Sequence, residues 1–144
     1  MKLTEHFDLS EFVISQEAAR RGIDNTPPDE ALENLYILAM ALEEIRARLG
    51  KPIVISSGYR SPALNAAVGG AANSAHVLGY AADLTCPGFG APLSVCKAIA
   101  TLPGFKYDQV IHEFRGWCHL SVDPRGRMQT LTIDRNGTRK GLQP

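Results

Sequence analysis

Two histidines and one aspartate in this chain are residue types from which proteins build zinc sites. His76, predicted at the edge of a strand, and Asp83 are seven residues apart across a turn at Gly79, and apolar residues surround the aspartate. A carboxylate in such surroundings is costly to bury unless it is paired or binds a metal. His119, from a later segment, would supply a second imidazole. Together the three side chains predict a three-ligand site with one open position, the arrangement that catalytic zinc requires.

The same residues also permit a purely structural interpretation. No HExxH pair is present to fix the ligand geometry on a helix. Asp83 would then cap a turn, and His119 would be a hydrogen-bonded histidine of the core. Residue type and spacing alone leave both interpretations open.

The elements that would position these side chains are helices early in the chain and strands after them. Apolar residues at spacings of three and four from Ala31 to Leu49 predict a long helix, with Thr26 as its N-cap and Gly50 at its end. Shorter helices are predicted at 9–12, with Ser10 as the cap, and at 62–68 and 93–102. Strands are predicted at 52–57, which we expect to be buried, and at 81–85, 108–114, 117–122 and 128–133.

This order of elements indicates an α+β fold in which N-terminal helices pack on a small, mainly antiparallel sheet. We expect one domain over residues 1–144, because the chain is long enough for one core and short for two. The core is expected over about 3–133, followed by a loop-like tail over 134–144.

Composition and charge exclude several classes of protein. The 144 residues are 44% hydrophobic and 21% charged, a globular mixture that excludes wholesale disorder. Fifteen basic residues balance fifteen acidic ones, which does not indicate a nucleic-acid partner. No apolar run approaches the roughly 20 residues that span a bilayer, and the polar first residues lack the pattern of a signal peptide. We therefore expect synthesis in the cytoplasm without membrane insertion.

The three cysteines are Cys86, Cys96 and Cys118, and they include no CxxC pair. A thiolate zinc knuckle and a thioredoxin-like motif are thereby excluded. Buried, reduced thiols are the favoured interpretation, and a Cys86–Cys96 bridge is the alternative.

Three short motifs follow one another along the chain. They are SGYRS at 57–61, SAH at 74–76 with Gly79 and Asp83 after it, and WCHLS at 117–121. In this order they resemble the zinc D-alanyl-D-alanine carboxypeptidase and murein endopeptidase family. The chain resembles most its compact branch, found in bacteria and as phage endolysins, which opens in a similar way to LTEHFDLSEF at 3–12. The resemblance runs from about residue 3 to residue 122 and so covers most of the chain.

The resemblance implies a hydrolase of peptidoglycan stem peptides with a D-Ala-D-Ala peptidase or Hedgehog-like fold and one zinc ion per chain. His76, Asp83 and His119 match the metal ligands of the family. Arg60 matches an arginine that holds the substrate or stabilises the developing oxyanion, and a surface salt bridge is its structural alternative. Ser74 is expected to add a hydrogen bond near the zinc, and Tyr59 and Trp117 to line the cleft and bind substrate, with packing as the structural alternative for all three.

Two peptidase activities fit this resemblance, an L-alanyl-D-glutamate endopeptidase and a D-alanyl-D-alanine carboxypeptidase. The lack of a signal peptide and of a wall-binding module favours a phage-type endolysin, a monomer that acts on the cell wall after its release. The competing hypotheses are a non-catalytic, zinc-stabilised domain that binds the wall or serves as structure, and an α+β domain without metal.

The catalytic acid departs from the pattern of the better-known branches of this family. Those branches place a glutamate three residues before the last histidine, where this chain has Gly116. The nearest acid is Glu113, six residues before His119, and the compact branch is similar in this longer spacing.

The register of the predicted hairpin decides between Glu113 and His112 as the general base. A two-residue loop would pair His112 with His119 and send Glu113 into an apolar layer, which is costly for a carboxylate. A three-residue loop ending in Gly116 instead pairs Glu113 with Trp117 and places the glycine where a left-handed residue belongs. We therefore predict the longer loop and Glu113 as the base, with His112 on the core side of the sheet.

Overall fold

The computed structural model describes all residues, 1–144, and contains six helices and six strands. The helices are α1 (Leu9–Val13), α2 (Gln16–Arg21), α3 (Asp29–Leu49), α4 (Pro62–Ala67), α5 (Ala75–Leu78) and α6 (Pro92–Ala100). The strands are β1 (Val54–Ser57), β2 (Ala81–Thr85), β3 (Gln109–Glu113), β4 (Trp117–Ser121), β5 (Gln129–Asp134) and β6 (Gly137–Lys140). Helices dominate the first half and strands the second, so the predicted α+β fold is confirmed.

All six strands form one sheet in the order β1-β2-β4-β3-β5-β6. Every neighbouring pair is antiparallel except β3 and β5, which confirms the mainly antiparallel prediction. One face of the sheet shares a buried core with the helices, to which α3 contributes Leu35 and Leu42, α6 Ile99, and the sheet Leu84 and Leu120. Because strand residues alternate between faces, the neighbours of these leucines point to the opposite face, where a site can form.

The long helix α3 packs on this core through the expected apolar stripe. Its buried residues include Ala31, Leu38 and Ile45, and Gly50 ends it in the left-handed conformation with a φ of 71°. Its start differs from the prediction, because the residue before Asp29 is Pro28 in an extended conformation and Thr26 makes no cap. A proline disfavours helical geometry in the residue before it, so two consecutive prolines delay the helix. No helix of the chain, α3 included, has both the length and the apolar character needed to traverse a bilayer.

The N-terminal region differs from the prediction in the cap of α1 and in the presence of a second helix, α2. The cap of α1 is Asp8, whose carboxylate accepts from the Ser10 amide at 3.0 Å while its own amide donates to Glu11 at 2.7 Å. This reciprocal capping box displaces the predicted cap Ser10. Helix α2 was not predicted, since it buries only Ala18 and shows no apolar stripe. Its start is fixed by Ser15, whose hydroxyl accepts from the Ala18 amide at 3.1 Å.

Strand β1 is an edge strand, so the expectation that it is buried was wrong. Its residues alternate between exposed and half-buried, and Val54 is 51% exposed. The β-branched run predicted the strand correctly. Only the topology shows that it has a neighbour on one side alone.

The segment 134–144 is not the predicted loop-like tail. It forms β6, which pairs with β5 through a two-residue turn between Asp134 and Gly137. The Gly137 φ of 99° suits that turn. Beyond β6, the carbonyl of Gln143 accepts a hydrogen bond from Nδ1 of the buried His112 at 2.8 Å. The segment is therefore part of the packed domain, and it satisfies a polar side chain that the sheet buries.

The β3–β4 hairpin has the predicted register, with Glu113 opposite Trp117. The turn that produces it differs from the prediction, because the left-handed residues are Phe114 and Arg115, with φ of 51° and 56°, and not Gly116. Two consecutive left-handed residues are typical of a type I′ turn, whose twist matches that of the flanking strands. The three-residue loop was thus predicted correctly, although the argument from a left-handed Gly116 does not hold.

The three cysteines are buried and reduced, as predicted, and no Cys86–Cys96 bridge forms. The Cys86 thiol donates to the carbonyl of Pro52 at 3.3 Å. Cys96 and Cys118 belong to the central core. All three act as small core side chains.

Candidate metal centre and cleft

Strand pairing alone brings two of the predicted ligands together. Asp83 on β2 is directly opposite His119 on β4, and His119 is in turn opposite Ile111 on β3. Their sequence neighbours Ala82 and Leu120 belong to the core shared with α3. By strand alternation, Asp83 and His119 therefore lie on the face of the sheet away from that helix.

The third predicted ligand, His76, lies on the short helix α5 and not at a strand edge, which corrects the prediction. The hydroxyl of Ser74 accepts from the His76 amide at 3.2 Å and so caps this helix. Gly79 ends it with a φ of 83°, and a Cβ there would stand 2.5 Å from the carbonyl oxygen of Ala31 on α3. Only glycine allows α5 to approach α3 this closely, and this approach presents His76 to the face that carries Asp83.

The candidate ligand atoms stand at distances that suit zinc. Asp83 Oδ1 lies 3.3 Å from His76 Nε2 and 3.0 Å from His119 Nδ1, and all three ligand atoms lie within 4.8 Å of one another. Atoms bound at about 2.0–2.1 Å around a tetrahedral ion stand about 3.3 Å apart. Two imidazoles and a carboxylate are also a donor set that zinc prefers. The donor set and the two distances to Asp83 Oδ1 therefore fit a zinc ion.

A hydrogen bond to the backbone sets the tautomer of His76. Its Nδ1 lies 2.7 Å from the carbonyl oxygen of Gly58, which can only accept, so Nδ1 carries the proton. In the neutral ring, Nε2 then presents a lone pair to the Asp83 carboxylate. Two electron-rich atoms at that distance require a positive charge between them, either a proton or a metal ion. A backbone carbonyl that orients a histidine in this way is a usual outer partner of a metal ligand.

Asp83 is held in its charged form. Burial alone would raise its pKa, but hydrogen bonds from His119 and His76, together with their positive charge, hold the pKa of this carboxyl below its usual range. A metal ligand must be deprotonated at working pH, and this carboxylate meets that condition.

Arg60 contacts the second oxygen of the same carboxylate. Its Nη2 lies 3.5 Å from Asp83 Oδ2, which leaves Oδ1 to the histidines. Its amide donates to the His76 carbonyl at 3.1 Å, and its Nη1 donates to Asn65 at 3.4 Å. The guanidinium is 19% exposed and lines the cleft. It is therefore anchored beside the candidate ligands and is not a surface salt bridge.

Glu113 lies on the same face as the candidate ligands, with its Oε1 3.8 Å from His119 Nδ1. Burial raises the pKa of Glu113; the positive charge of His119 opposes this effect and the negative charge of Asp83 adds to it. His112 is 3% exposed on the opposite face, bonded to the C-terminal segment. Of the two candidate bases, Glu113 alone can reach a reacting group in the cleft.

The remaining predicted substrate contacts divide into two groups. Ser74 lines the cleft of about 440 Å³ that contains the candidate ligands, although its hydroxyl already caps α5. Tyr59 is 4% exposed in the core and Trp117 packs on Phe114 with ring centroids 5.7 Å apart, and neither lines that cleft. Both pack against neighbouring side chains in this structure, and their contact with the substrate stays a prediction.

Two residues of the cleft were not predicted from the sequence. Arg125 and Arg127 lie in the segment between β4 and β5 and line the same cleft as His119. Two arginines in a short connecting segment carry no distinctive motif. Because β5 runs parallel to β3, the two strands begin at the same edge of the sheet. The segment that leads into β5 therefore passes the beginning of β3, which lies at the cleft.

Comparison with known proteins agrees with this geometry. A family model described as Peptidase M15 matches residues 5–121, which is most of the chain. A stretch of 55 residues is 44% identical to the zinc D-Ala-D-Ala carboxypeptidase of Streptomyces albus G. That stretch is 38% of this chain and 22% of the relative, so the match spans about a fifth of the relative's length.

Proposed function

The chain belongs to the peptidase M15 family, and from that premise we propose that it is a zinc-dependent peptidase that cleaves the stem peptides of peptidoglycan. The observation that supports this most is the placement of the Asp83 carboxylate within 3.3 Å of two imidazoles, in a cleft that also holds Arg60 and Glu113. The relative named as a zinc carboxypeptidase supports the choice of metal.

In this proposal His76, Asp83 and His119 hold one zinc ion per chain. A zinc ion held there would act as a Lewis acid, polarising the scissile carbonyl and making water a better nucleophile. The tautomer set by the Gly58 carbonyl keeps His76 Nε2 available as a ligand. The Arg60 contact on Asp83 Oδ2 limits the rotation of that carboxylate.

Arg60 serves as the electrostatic partner of the substrate. Its guanidinium is charged at any working pH and can donate two parallel hydrogen bonds to a carbonyl or carboxylate. Anchored through its own amide and Nη1, it loses little entropy when substrate binds. Negative charge that develops on the scissile carbonyl oxygen is stabilised by such a fixed donor.

Glu113 acts as the general base and then as the general acid. Its carboxylate accepts a proton from the attacking water and holds it on one Oε oxygen, from which it passes to the leaving amine. A buried carboxyl with a raised pKa holds the proton more readily than an exposed one would, which favours this transfer.

Two bonds of the stem peptide fit the proposal, the L-Ala–D-Glu bond of an endopeptidase and the D-Ala–D-Ala bond of a carboxypeptidase. We further propose that the chain acts as a monomer and as a phage-type endolysin on the cell wall. A non-catalytic zinc-stabilised domain is less favoured, because a structural zinc site needs neither Arg60 nor Glu113 beside its ligands and has no open position.

Digestion of purified peptidoglycan, followed by mass spectrometry of the fragments, tests the proposal. The zinc-loaded protein is expected to release peptide fragments whose masses identify the bond, and chelator is expected to stop the release until zinc is added again. The matched control is Glu113→Gln, which should retain zinc without producing fragments. Intact peptidoglycan after treatment with the folded, zinc-loaded protein would instead favour the non-catalytic alternative.

A further inference from the structure

The cleft extends beyond the candidate metal centre to a pair of arginines that the proposed chemistry does not use. Arg127 donates from Nε and Nη2 to the two oxygens of Asp108, both at 2.8 Å. Arg125 donates from Nε to both oxygens of Asp123 at 3.2 Å and from Nη2 to Oδ2 at 2.6 Å, again side-on. Asp108 and Asp123 are 0% and 4% exposed, so buried carboxylates hold both guanidiniums in fixed positions.

The outer edges of these guanidiniums have no protein partner. The side-on pairs use Nε and Nη2, and Nη1 of each arginine donates to no protein acceptor. The side chains of Arg125 and Arg127 are 44% and 40% exposed, and both line the cleft. Arginines that only compensated buried aspartates would not need to open into the same cleft. Their free donors match a carboxylate, which arginine binds with paired hydrogen bonds.

The register of the sheet gives the spacing along the chain between the residue that holds Arg127 and the residue opposite His119. His119 is opposite Ile111, whereas Arg127 is held by Asp108, three residues earlier and just before β3 begins. Gln109, the first residue of β3, also lines the cleft. From Ile111 to Asp108 the extended chain rises roughly 10 Å, which is the length of about three residues of an extended peptide.

We propose that Arg125 and Arg127 form a specificity subsite that binds the carboxylate of an acidic residue about three positions from the scissile bond. This inference rests on the proposed peptidase function and narrows its substrate class to acidic stem peptides. A carboxylate directly beside the scissile bond would lie nearer to Arg60, which contacts Asp83 itself. The cleft thus contains two separate cationic positions, one at the reaction centre and one farther along the peptide.

The test compares two synthetic stem peptides that differ only in whether this residue carries its free carboxylate or the isosteric amide. The wild-type protein is expected to cleave the acidic peptide with a kcat/KM about tenfold to a hundredfold higher, through a lower KM, since a hydrogen bond to a charged group contributes that much. In Arg125→Gln the kcat/KM of the acidic peptide should exceed that of the amide peptide by no more than about threefold, because one of the two arginines that bind the carboxylate is lost. Arg127→Lys should retain part of the preference for the acidic peptide, since the charge persists without the fork.

Controls separate substrate recognition from folding. Arg139→Gln removes an arginine that pairs with Asp134 at 2.8 Å outside the cleft, and it should keep the full preference. Arg127→Gln would leave Asp108 buried without its partner, so it is combined with Asp108→Asn to remove the pair together. Thermal melting and zinc content establish that each variant is folded and loaded.

Three outcomes are distinguishable. A preference for the acidic peptide that collapses in Arg125→Gln and in the combined variant, but not in Arg139→Gln, supports the subsite. Equal cleavage of both peptides by the wild type, or a preference that survives these substitutions, overturns the subsite and leaves the peptidase function standing. Cleavage of neither peptide overturns the proposed function, and the subsite with it.

Discussion

Two aspartates, Asp83 on β2 and Asp108 just before β3, are both buried but have different partners. They are 5% and 0% exposed. For Asp108, side-chain hydrogen bonds from Arg127 outweigh burial and lower the pKa to about 2. For Asp83, burial works against the neighbouring imidazoles, which still hold the pKa of the carboxyl below its usual range. Both groups are therefore charged under ordinary conditions.

The partners decide what each carboxylate can do. A neutral imidazole can turn a lone pair toward a metal ion, so the group around Asp83 can bind zinc. A guanidinium keeps its protons at any working pH, so the pair of Asp108 and Arg127 stays an ion pair. Asp108 also connects strands, because its amide donates to the Ser121 carbonyl at 2.7 Å and its carbonyl accepts from Gln129 at 2.9 Å. A buried carboxylate thus indicates a metal centre only when its partners can give up a proton.

The largest expected effect comes from substitution of Asp83. Asp83→Asn should abolish zinc binding and peptidase activity, because an amide is a poor replacement for the charged oxygen between His76 and His119. Elemental analysis and the peptidoglycan digest measure the two losses. Asp108→Asn is the matched control, a buried aspartate just before β3, and should keep one zinc per chain. Full zinc and full activity in Asp83→Asn, or in His119→Ala, would show that these residues are not ligands.

Glu113→Gln should retain zinc and fold while activity falls by at least about a hundredfold, the usual size of a general-base effect. The substitution preserves shape and removes the proton acceptor. His112→Ala is the control on the same strand and should mainly lower the melting temperature, because that side chain bonds to the C-terminal segment. An active Glu113→Gln beside an inactive, folded His112→Ala would reverse the assignment of the base.

Arg60→Ala should keep zinc bound and reduce turnover by about tenfold to a hundredfold, as expected for the loss of a charged donor at a developing oxyanion. Arg60→Lys should recover only part of the rate, because a point charge does not reproduce two parallel hydrogen bonds. Steady-state kinetics and thermal melting are measured on both variants. Unchanged kinetics together with reduced stability would make Arg60 a structural partner of Asp83.

The smallest expected effect is the pH dependence of the Asp108 pair. Asp108→Asn should lower the free energy of unfolding by about 2 kcal/mol at neutral pH, a modest figure because both arginines near it are partly exposed to water. A carboxyl with a depressed pKa stabilises the fold above its unfolded-state pKa of about 3.9. The difference in the free energy of unfolding between wild type and variant should be complete above that pH. It should disappear as the pH falls through about 2. Chemical denaturation at a series of pH values measures it, and a difference that does not change with pH would contradict the charged pair.

Local patterns in the sequence were sufficient to predict the features that depend on neighbours along the chain. The apolar stripe of α3, the strands β2 to β5 and the hairpin register follow from periodicity and from the cost of burying Glu113 in an apolar layer. The candidate ligands His76, Asp83 and His119 also come from the sequence, through the ordered motifs that carry them. Their role as ligands stays a prediction until metal binding is measured.

Other features depend on contacts between distant segments, and these were decided by the tertiary structure. The sequence predicted His76 at a strand edge, but Gly79 packed against Ala31 keeps it on a short helix. Strand β6 has no apolar pattern, because its pairing with β5 and not burial of its side chains holds it in place. Arg125 and Arg127 meet the cleft only because β5 returns parallel to β3. Residue types and spacing can propose which groups do chemistry, whereas the direction in which each strand returns determines which groups share a cleft.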